Sequence, residues 1–590
     1  MCGISAILSR KKQNACDIVY GALKQLQNRG YDSMGIGTII DGEIVVSRTM
    51  SMRLSIPDAD ICIGHTRWAT HGARTINNAH PHTSADQMFS LVHNGIIENY
   101  AELKSELVEI YGASAFQSET DSEVIVNMLM YQYERNKDII RIIEEVCKRL
   151  SGTFGLAIIH RDSPDVVYLV RRGSPLLVGE NDNYVMAASE MSGFDGQLTH
   201  YTPIPSECVT VMRRSGVDIL GPRMMCLEKC VKSCEPYPHW MLKEIIEQPI
   251  TLMQTINNGA RIYGNKIHLG GLHIIRDVVP MVTHIVLLGC GTSLYACMSA
   301  VYYFRRCLPR AHITACDAAE FSVEAIRDMD TTLILVCSQS GETMDIIKAI
   351  ENIKHSGKIT KIVGVVNVVN SQISQMVDCG VYMNVGREVS VASTKSYVSS
   401  LLVFFLIAEW MHQVNTSYTS SLDHIKQLIT QIQKQTTNYD NIYERYELWR
   451  INKPSLFILG RGRFEPVAKE CALKFKEVCY IHAEGCNAAS LKHGPFALLT
   501  KDFPVILFVD KENRAKMMNT YEELVSRNAH VMIVTNDQIE CKHVVNVPYN
   551  ADLPEILFAN LLQMFAYCIA VKNNIDPDRP RNLAKVVTVE

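Results

Sequence analysis

The run Ile-Val-Leu-Leu-Gly-Cys-Gly-Thr-Ser at 285–293 recurs as Leu-Phe-Ile-Leu-Gly-Arg-Gly at 456–462. An apolar strand that ends in a glycine turn and leads into a helix opens a parallel α/β unit, whose strands are buried on both faces and read as continuous apolar runs. Further apolar runs follow each copy, at 332–336 after the first and at 504–509 and 530–534 after the second, alternating with longer helical patterns. Such self-similarity reads most simply as two homologous α/β domains. We place them at 266–410 and 445–575, joined by a helical connector at 411–444 and closed by a tail at 576–590 that carries Pro577 and Pro580.

Residues 2–221 follow a different pattern. Short β-type runs alternate with loops rich in His, Asn, Thr and Gly, as at 62–72 and 91–99, which predicts a layered, mainly antiparallel domain with polar groups on strand ends and loops. A linker at 222–265, punctuated by Pro236 and Pro238, separates it from the repeat and leads into a helix. The 590 residues exceed what one core supports and fit roughly three or four domains. With 58 Lys and Arg against 62 Asp and Glu, the net charge of −4 provides no global field for nucleic acid or a membrane surface, so neither is expected as a partner. Any phosphate site must be local.

The start, Met-Cys-Gly-Ile-Ser-Ala-Ile-Leu, lacks the basic segment and cleavage site of a signal peptide, and the longest apolar stretch, 401–411, is too short to cross a bilayer and is interrupted by Glu409. A soluble, cytoplasmic protein is expected. Nineteen cysteines, an odd count without an export signal, suit reduced thiols. Cys226, Cys230 and Cys234 recur every four residues ahead of His239, a spacing that fits one buried helical stripe better than the paired ligands of a zinc site; no metal is predicted.

Removal of Met1 would leave a thiol and a free α-amine on Cys2, a nucleophile and a base in one residue, since their unperturbed pKa values are close, about 8.5 and about 8. After Cys-Gly-Ile at 2–4 come Arg-Gly-Tyr-Asp-Ser at 29–33, His-Thr-Arg-Trp-Ala-Thr-His-Gly at 65–72, His-Asn-Gly at 93–95 and Ser-Glu-Thr-Asp at 118–121. This constellation resembles the class II glutamine amidotransferase domains of the N-terminal-nucleophile family. The resemblance implies a layered αββα glutaminase domain with Cys2 as nucleophile, Arg67 gripping the substrate α-carboxylate and Asp121 its α-ammonium. It further implies an oxyanion hole from Asn94 and the N–H of Gly95, with Trp68, Thr70 and His71 lining the glutamine site and Trp68 in the position of the family's ammonia gate. Without the resemblance, His65 and His71 read as satisfied loop or core histidines, and Gly30, Gly35 and Gly72 as turn residues.

In the first repeat, Ser-Gln-Ser-Gly-Glu-Thr at 338–343 follows an apolar strand and opens a helix, so its N–H groups and hydroxyls can hold a phosphate. Ser293, and Ser393 in Val-Ala-Ser-Thr-Lys at 391–395, offer hydroxyls from other loops at the same end of the sheet. Taken singly, such serines are helix caps. Jointly they resemble the SIS sugar-isomerase fold. The order of a glutaminase and two parallel-sheet α/β SIS domains resembles the glutamine:fructose-6-phosphate aminotransferase (isomerising) family over essentially the whole chain, with support from 470–477, 480–484, 491–495 and 582–590.

That resemblance implies hydrolysis of L-glutamine, transfer of the ammonia to fructose 6-phosphate and isomerisation to D-glucosamine 6-phosphate, the first step of hexosamine synthesis, with no cofactor. It assigns the sugar phosphate to Ser293, Ser338, Gln339, Ser340, Thr343, Val391, Ser393 and Lys474, an imine to Lys585, proton transfer between C1 and C2 to Glu477, and ring opening to His493. It also implies a homo-oligomer, a dimer or tetramer. Arg172, Arg463, Phe464, Cys471, the segment 484–490 and a short loop at 37–61 depart from the family pattern without removing a proposed catalytic group. The alternative is a SIS-type sugar-phosphate sensor without catalysis, which would need the phosphate-binding serines but no nucleophile, base or imine-forming amine.

Overall fold

The computed structural model describes all residues except 1, 12–13, 52, 69–71, 218, 220–223, 226–232, 327–330, 359, 417–420, 438–450, 452 and 587–590. It divides into two compact units, 1–233 with 586–590, and 234–585.

Strand alternation builds the first unit. Along Gly3–Ser9, Ile4, Ala6 and Leu8 face one way and Ile7 the other. Ile7 packs with Val19 and Leu23 of the helix Ala15–Gln25, while Ile4, Ala6 and Leu8 meet Val92, Ala157 and Ile159 of a second sheet. An eight-stranded and a six-stranded antiparallel sheet therefore stack face to face. On the outer face of the six-stranded sheet, Phe89, Leu91, Phe154 and Leu156 pack with Val124, Ile125 and Met128 of the helix Ser122–Tyr133. The layering is helix, sheet, sheet, helix, as the resemblance implies.

The second unit holds two five-stranded parallel sheets of the same topology, the strand order in each being second, first, third, fourth, fifth. The first contains His312–Asp317, Val282–Gly289, Thr331–Ser338, Lys361–Val366 and Cys379–Tyr382; the second contains His482–Asn487, Ser455–Gly460, Pro504–Val509, His530–Thr535 and Val544–Asn546. In such sheets the crevice for a ligand opens at the carboxyl ends of the strands, where the order reverses. Leu288 pairs with Val336 there, which brings the turns after Val282–Gly289 and Thr331–Ser338 to one edge. The two copies differ at that edge. In the first, Thr331–Ser338 runs into the serine-rich turn 338–343; in the second, Pro504–Val509 runs into buried Asp510, whose carboxylate accepts the N–H of Glu512 at 3.3 Å.

Two helices depart from the sequence expectation. The apolar stretch 401–411 belongs to the longer helix Lys395–Thr416, which passes through the expected domain boundary at 410–411, and with Pro554–Lys572 it is long and apolar enough to cross a membrane by length and composition alone. Both are core helices here: 83% and 94% of their most apolar windows are buried inside the fold. Glu409, which seemed to break the stretch, is accommodated by Arg306 at 2.7 Å. Of the expected connector, Asp423–Thr437 is helical, and 438–450 lie outside the described residues. Cys226 and Cys230 also lie outside them; Cys234 is half-buried in irregular chain ahead of the helix Trp240–Ile246, so the expected helical stripe does not extend to it.

Candidate active sites

In the first unit, antiparallel pairing of Gly3 with Thr66 places Cys2 beside the end of the strand Ile61–Arg67. The half-buried thiol receives the N–H of Trp68 at 3.3 Å and lies 3.6 Å from the Trp68 carbonyl. Its own carbonyl accepts Arg29 Nε at 3.1 Å, and a Cβ on Gly3 would collide with Thr66 and Leu26, so the neighbour of Cys2 must be glycine. Arg67 is buried and donates to the carbonyls of Gly72 and Ala73 at 3.4 and 3.3 Å. Burial weakens its charge, while Cys2, Asp121 and Glu119 nearby favour it. Asp121 accepts the N–H of Ile97 at 2.9 Å at the start of the helix Ser122–Tyr133.

Asn94 and Gly95 lie on the strand Phe89–Ile97. The Asn94 amide is buried and its Nδ2 has no hydrogen-bond partner among the described residues, an unused donor of the sort an oxyanion needs. Gly95 sits at φ +140°, and a Cβ there would fall on the Thr153 carbonyl. Trp68 is half-buried with Tyr31 edge-on at 5.7 Å; Thr70 and His71 lie outside the described residues. His65 stacks on His80, with ring centres 4.0 Å apart, and bonds the His93 carbonyl at 2.9 Å. Burial lowers its pKa to about 3, so it is a neutral core histidine and no base.

The second unit gathers the phosphate-type residues. Ser338 Oγ accepts the N–H of Gly341 and pairs with Thr343 Oγ1, both at 2.9 Å, and Ser340 Oγ accepts the N–H of Glu342 at 3.1 Å, which folds 338–343 into a tight turn ahead of the helix Met344–His355. Gly341 has φ +69°, and a Cβ there would meet Ser371. Gln339 is half-buried on the same turn. Ser293, half-buried, is the second residue of the helix Thr292–Cys307 at the neighbouring turn. Val391 and Ser393 lie on the loop that precedes Lys395–Thr416.

Two buried charge clusters stand in this unit. The side chain of Lys585, 1% exposed, is ion-paired with Glu388 and donates to Ser393 Oγ at 3.2 Å. Glu388 also accepts the N–H groups of Thr394 and Ser396 at 3.0 Å and the Ser396 hydroxyl at 2.8 Å. Burial alone would raise its pKa; the Lys585 charge and these donors hold it at about 2. On the helix Glu465–Cys479, Lys474 reaches Glu477 at 2.6 Å, Glu470 at 3.4 Å and Thr292 Oγ1 at 3.1 Å. Burial opposes the Lys474 charge, but Glu470 and Glu477 keep it protonated, and Glu388 adds to the same effect. Burial, helped by Glu477, pushes Glu470 up to about 7. His493 is not brought to either cluster; it is exposed at the end of the turn Ala488–His493.

The tail reaches its place through Asp578. Its carboxylate accepts the N–H groups of Trp240 and Met241 at 2.8 and 2.7 Å, and its carbonyl accepts that of Val391 at 3.2 Å. Sequence reasoning missed Glu388, Thr292 and Asp578. The only available signal for Glu388 was an acidic residue five positions ahead of Ser393, which is indistinguishable from a loop charge.

The amino-acid similarities agree with this division. A glutamine amidotransferase domain profile matches residues 1–214, and a SIS domain profile matches 282–409 and 451–568. Over 100% of both chains, the sequence is 37% identical to the probable glutamine–fructose-6-phosphate aminotransferase (isomerizing) of Acanthamoeba polyphaga mimivirus and 34% identical to the glutamine–fructose-6-phosphate aminotransferase (isomerizing) of Streptomyces coelicolor. Among solved structures, the C-terminal domain of glucosamine-fructose-6-phosphate aminotransferase from Francisella tularensis matches with a TM-score of 0.52 at 26% identity, covering 59% of this chain and 100% of that one. The chain therefore belongs to the glutamine–fructose-6-phosphate aminotransferase (isomerizing) family.

Proposed function

We propose that this chain takes ammonia from L-glutamine at Cys2 and uses it to convert fructose 6-phosphate into D-glucosamine 6-phosphate. Cys2 attacks the side-chain amide, ammonia leaves, and water releases glutamate from the thioester. Arg67 and Asp121 hold the two charged ends of the amino acid, with Thr70 and His71 beside them, and the unpartnered Nδ2 of Asn94 with the N–H of Gly95 receives the oxyanion. Trp68 gates the ammonia.

On the sugar side, Ser293, Ser338, Gln339, Ser340 and Thr343 hold the phosphate, with Val391, Ser393 and Lys474 lining the site. The Lys585 amine condenses with the C2 carbonyl of the open-chain sugar and releases water. Ammonia displaces the lysine from that imine, and Glu477 then carries a proton from C1 to C2, which converts the imino alcohol into an amino aldehyde. His493 assists ring opening. The assigned segments are the glutaminase 2–221, linker 222–265, SIS domains 266–410 and 445–575, connector 411–444 and tail 576–590. The enzyme is cytoplasmic and a homo-oligomer.

The observation that carries this reading is the burial of Lys585 against Glu388 and Ser393 next to the serine-rich loops, since an amine at the end of a tail is ordinarily a solvated charge. Incubation with glutamine and fructose 6-phosphate should give glucosamine 6-phosphate. Borohydride with fructose 6-phosphate alone should fix the sugar on Lys585, and Lys585→Arg should abolish both product and adduct. Recovery of the adduct on Lys474 or Lys492 would overturn the assignment.

A further inference from the structure

Glu244 is a buried carboxyl beside the sugar-side amine with no part in the chemistry above. It lies on the helix Trp240–Ile246, 2% exposed. Its Oε1 accepts the N–H groups of Val389 and Ser390, the two residues that follow Glu388, while Oε2 is buried without a hydrogen-bond partner among the described residues. The loop it braces is the one that carries Glu388, Val391 and Ser393, and the same loop is tied to the tail by the Val391 N–H on the Asp578 carbonyl and the Ser390 hydroxyl on the Pro577 carbonyl at 3.4 Å.

The charges acting on Glu244 are Glu388, Lys585 and Lys395. Lys395 is itself paired with Glu247 at 3.5 Å, one turn along the chain. Among the described residues three helices pack against Trp240–Ile246, and one of them, Gln248–Thr255, carries no ionisable side chain. On Pro554–Lys572, Glu555 is bound to Arg463 and Tyr567 to His239; on Asp423–Thr437, Asp423, Lys426 and Lys434 are exposed. The local inventory is therefore two buried carboxyls, Glu244 and Glu388, around the ammonium of Lys585, with the Lys395 ammonium acting more weakly on Glu244 and already paired with Glu247. A second carboxylate with no cation of its own is expensive to bury, so one of the pair takes up a proton. Glu388 holds the ion pair, which leaves the proton to Glu244.

We propose that Glu244 is a positioning residue for Lys585 that works as a neutral acid: it braces the 388–393 loop without adding a second negative charge, and its ionisation withdraws the reactive amine. The inference rests on Lys585 being the imine-forming lysine. Burial first, and the like charge of Glu388 second, hold the Glu244 pKa at about 8, against partial relief from Lys585 and Lys395. Above that pH a second carboxylate faces Lys585, stabilises the ammonium and lowers the fraction of neutral amine. An ordinary lysine would do the opposite and gain reactivity steadily as pH rises.

The test is borohydride trapping of fructose 6-phosphate on Lys585 in the full chain across about pH 6.5 to 9.5, in the wild type and in Glu244→Gln, an isostere of the neutral acid. In the wild type the yield should level off above about pH 8, whereas in Glu244→Gln it should go on rising. At high pH the wild-type yield should lie roughly tenfold below that of Glu244→Gln. Superimposable profiles would sink the inference, as would loss of trapping in a folded Glu244→Gln at about pH 7, which would mean that the carboxylate is the working form. Should that variant fail to fold, a wild-type yield rising without a break through about pH 9.5 is refutation enough. No adduct on Lys585 at any pH would remove the imine reading itself, an outcome distinct from adducts with coincident profiles.

Discussion

Glu388→Gln should destabilise the second unit through a charge effect whose size follows from the ion pair. The carboxylate has no exposed side-chain surface, and Lys585 is its counter-ion. Its pKa falls from an ordinary 4.5 to about 2, so its ionised form is favoured by the fold by about 3 kcal/mol, at about 1.4 kcal/mol per pH unit. A folded pKa below the unfolded one gives stability that is present above about pH 4.5 and is lost as pH falls towards 2. Glutamine cannot accept the ammonium's charge, and the N–H groups of Thr394 and Ser396 lose an anionic partner. The expected loss is therefore about 3 kcal/mol at neutral pH, shrinking to near zero at about pH 2. Urea unfolding of the full chain and the variant at a series of pH values measures it, from the transition of the unit that carries Trp240 and Trp410. A loss below about 1 kcal/mol at neutral pH, or one that persists undiminished at about pH 2, would refute the ion-pair account.

Three further outcomes are expected. Cys2→Ala should reduce glutamine hydrolysis to background while fructose 6-phosphate still binds, and retention of Met1 should do the same; mass spectrometry of active protein showing Met1 in place would contradict the mechanism. Trp68→Ala should lower the glucosamine 6-phosphate formed per glutamine consumed, measured by assaying glutamate and product together, and an unchanged ratio would remove the gate. Gly95→Ala, which drives a Cβ onto the Thr153 carbonyl at a positive φ, should cost roughly 1–3 kcal/mol in strain and abolish glutamine hydrolysis; calorimetry and a glutaminase assay check the two separately.

Elements governed by local periodicity were legible in the sequence. The parallel strands Thr331–Ser338 and Pro504–Val509 are buried on both faces and spell continuous apolar runs. The serine-rich turn could be placed because it directly follows its strand. Features that depend on partners distant in sequence were not legible. Glu388 answers to Lys585, 197 positions away, and Glu409 is tolerated inside a core helix only because Arg306 arrives from another helix, which is why 401–411 looked shorter than the helix it belongs to. For the tail's placement the sequence offered its prolines and the family likeness of 582–590, while its position depends on Asp578 meeting two N–H groups at the start of Trp240–Ile246.

The unequal ends of the two parallel sheets bear on stoichiometry. A duplicated scaffold could hold two sugar phosphates, one per copy. In the second copy, however, the N–H of Glu512 is already taken by Asp510, and that buried carboxyl would stand where an anion has to approach. At the matching place the turn after Thr331–Ser338 carries the hydroxyls of Ser338, Ser340 and Thr343 in place of a carboxyl. With the proposed phosphate site on the first copy alone, titration calorimetry with fructose 6-phosphate should saturate at one equivalent per chain, the second copy supplying the Lys474 and Glu477 pair from its first helix.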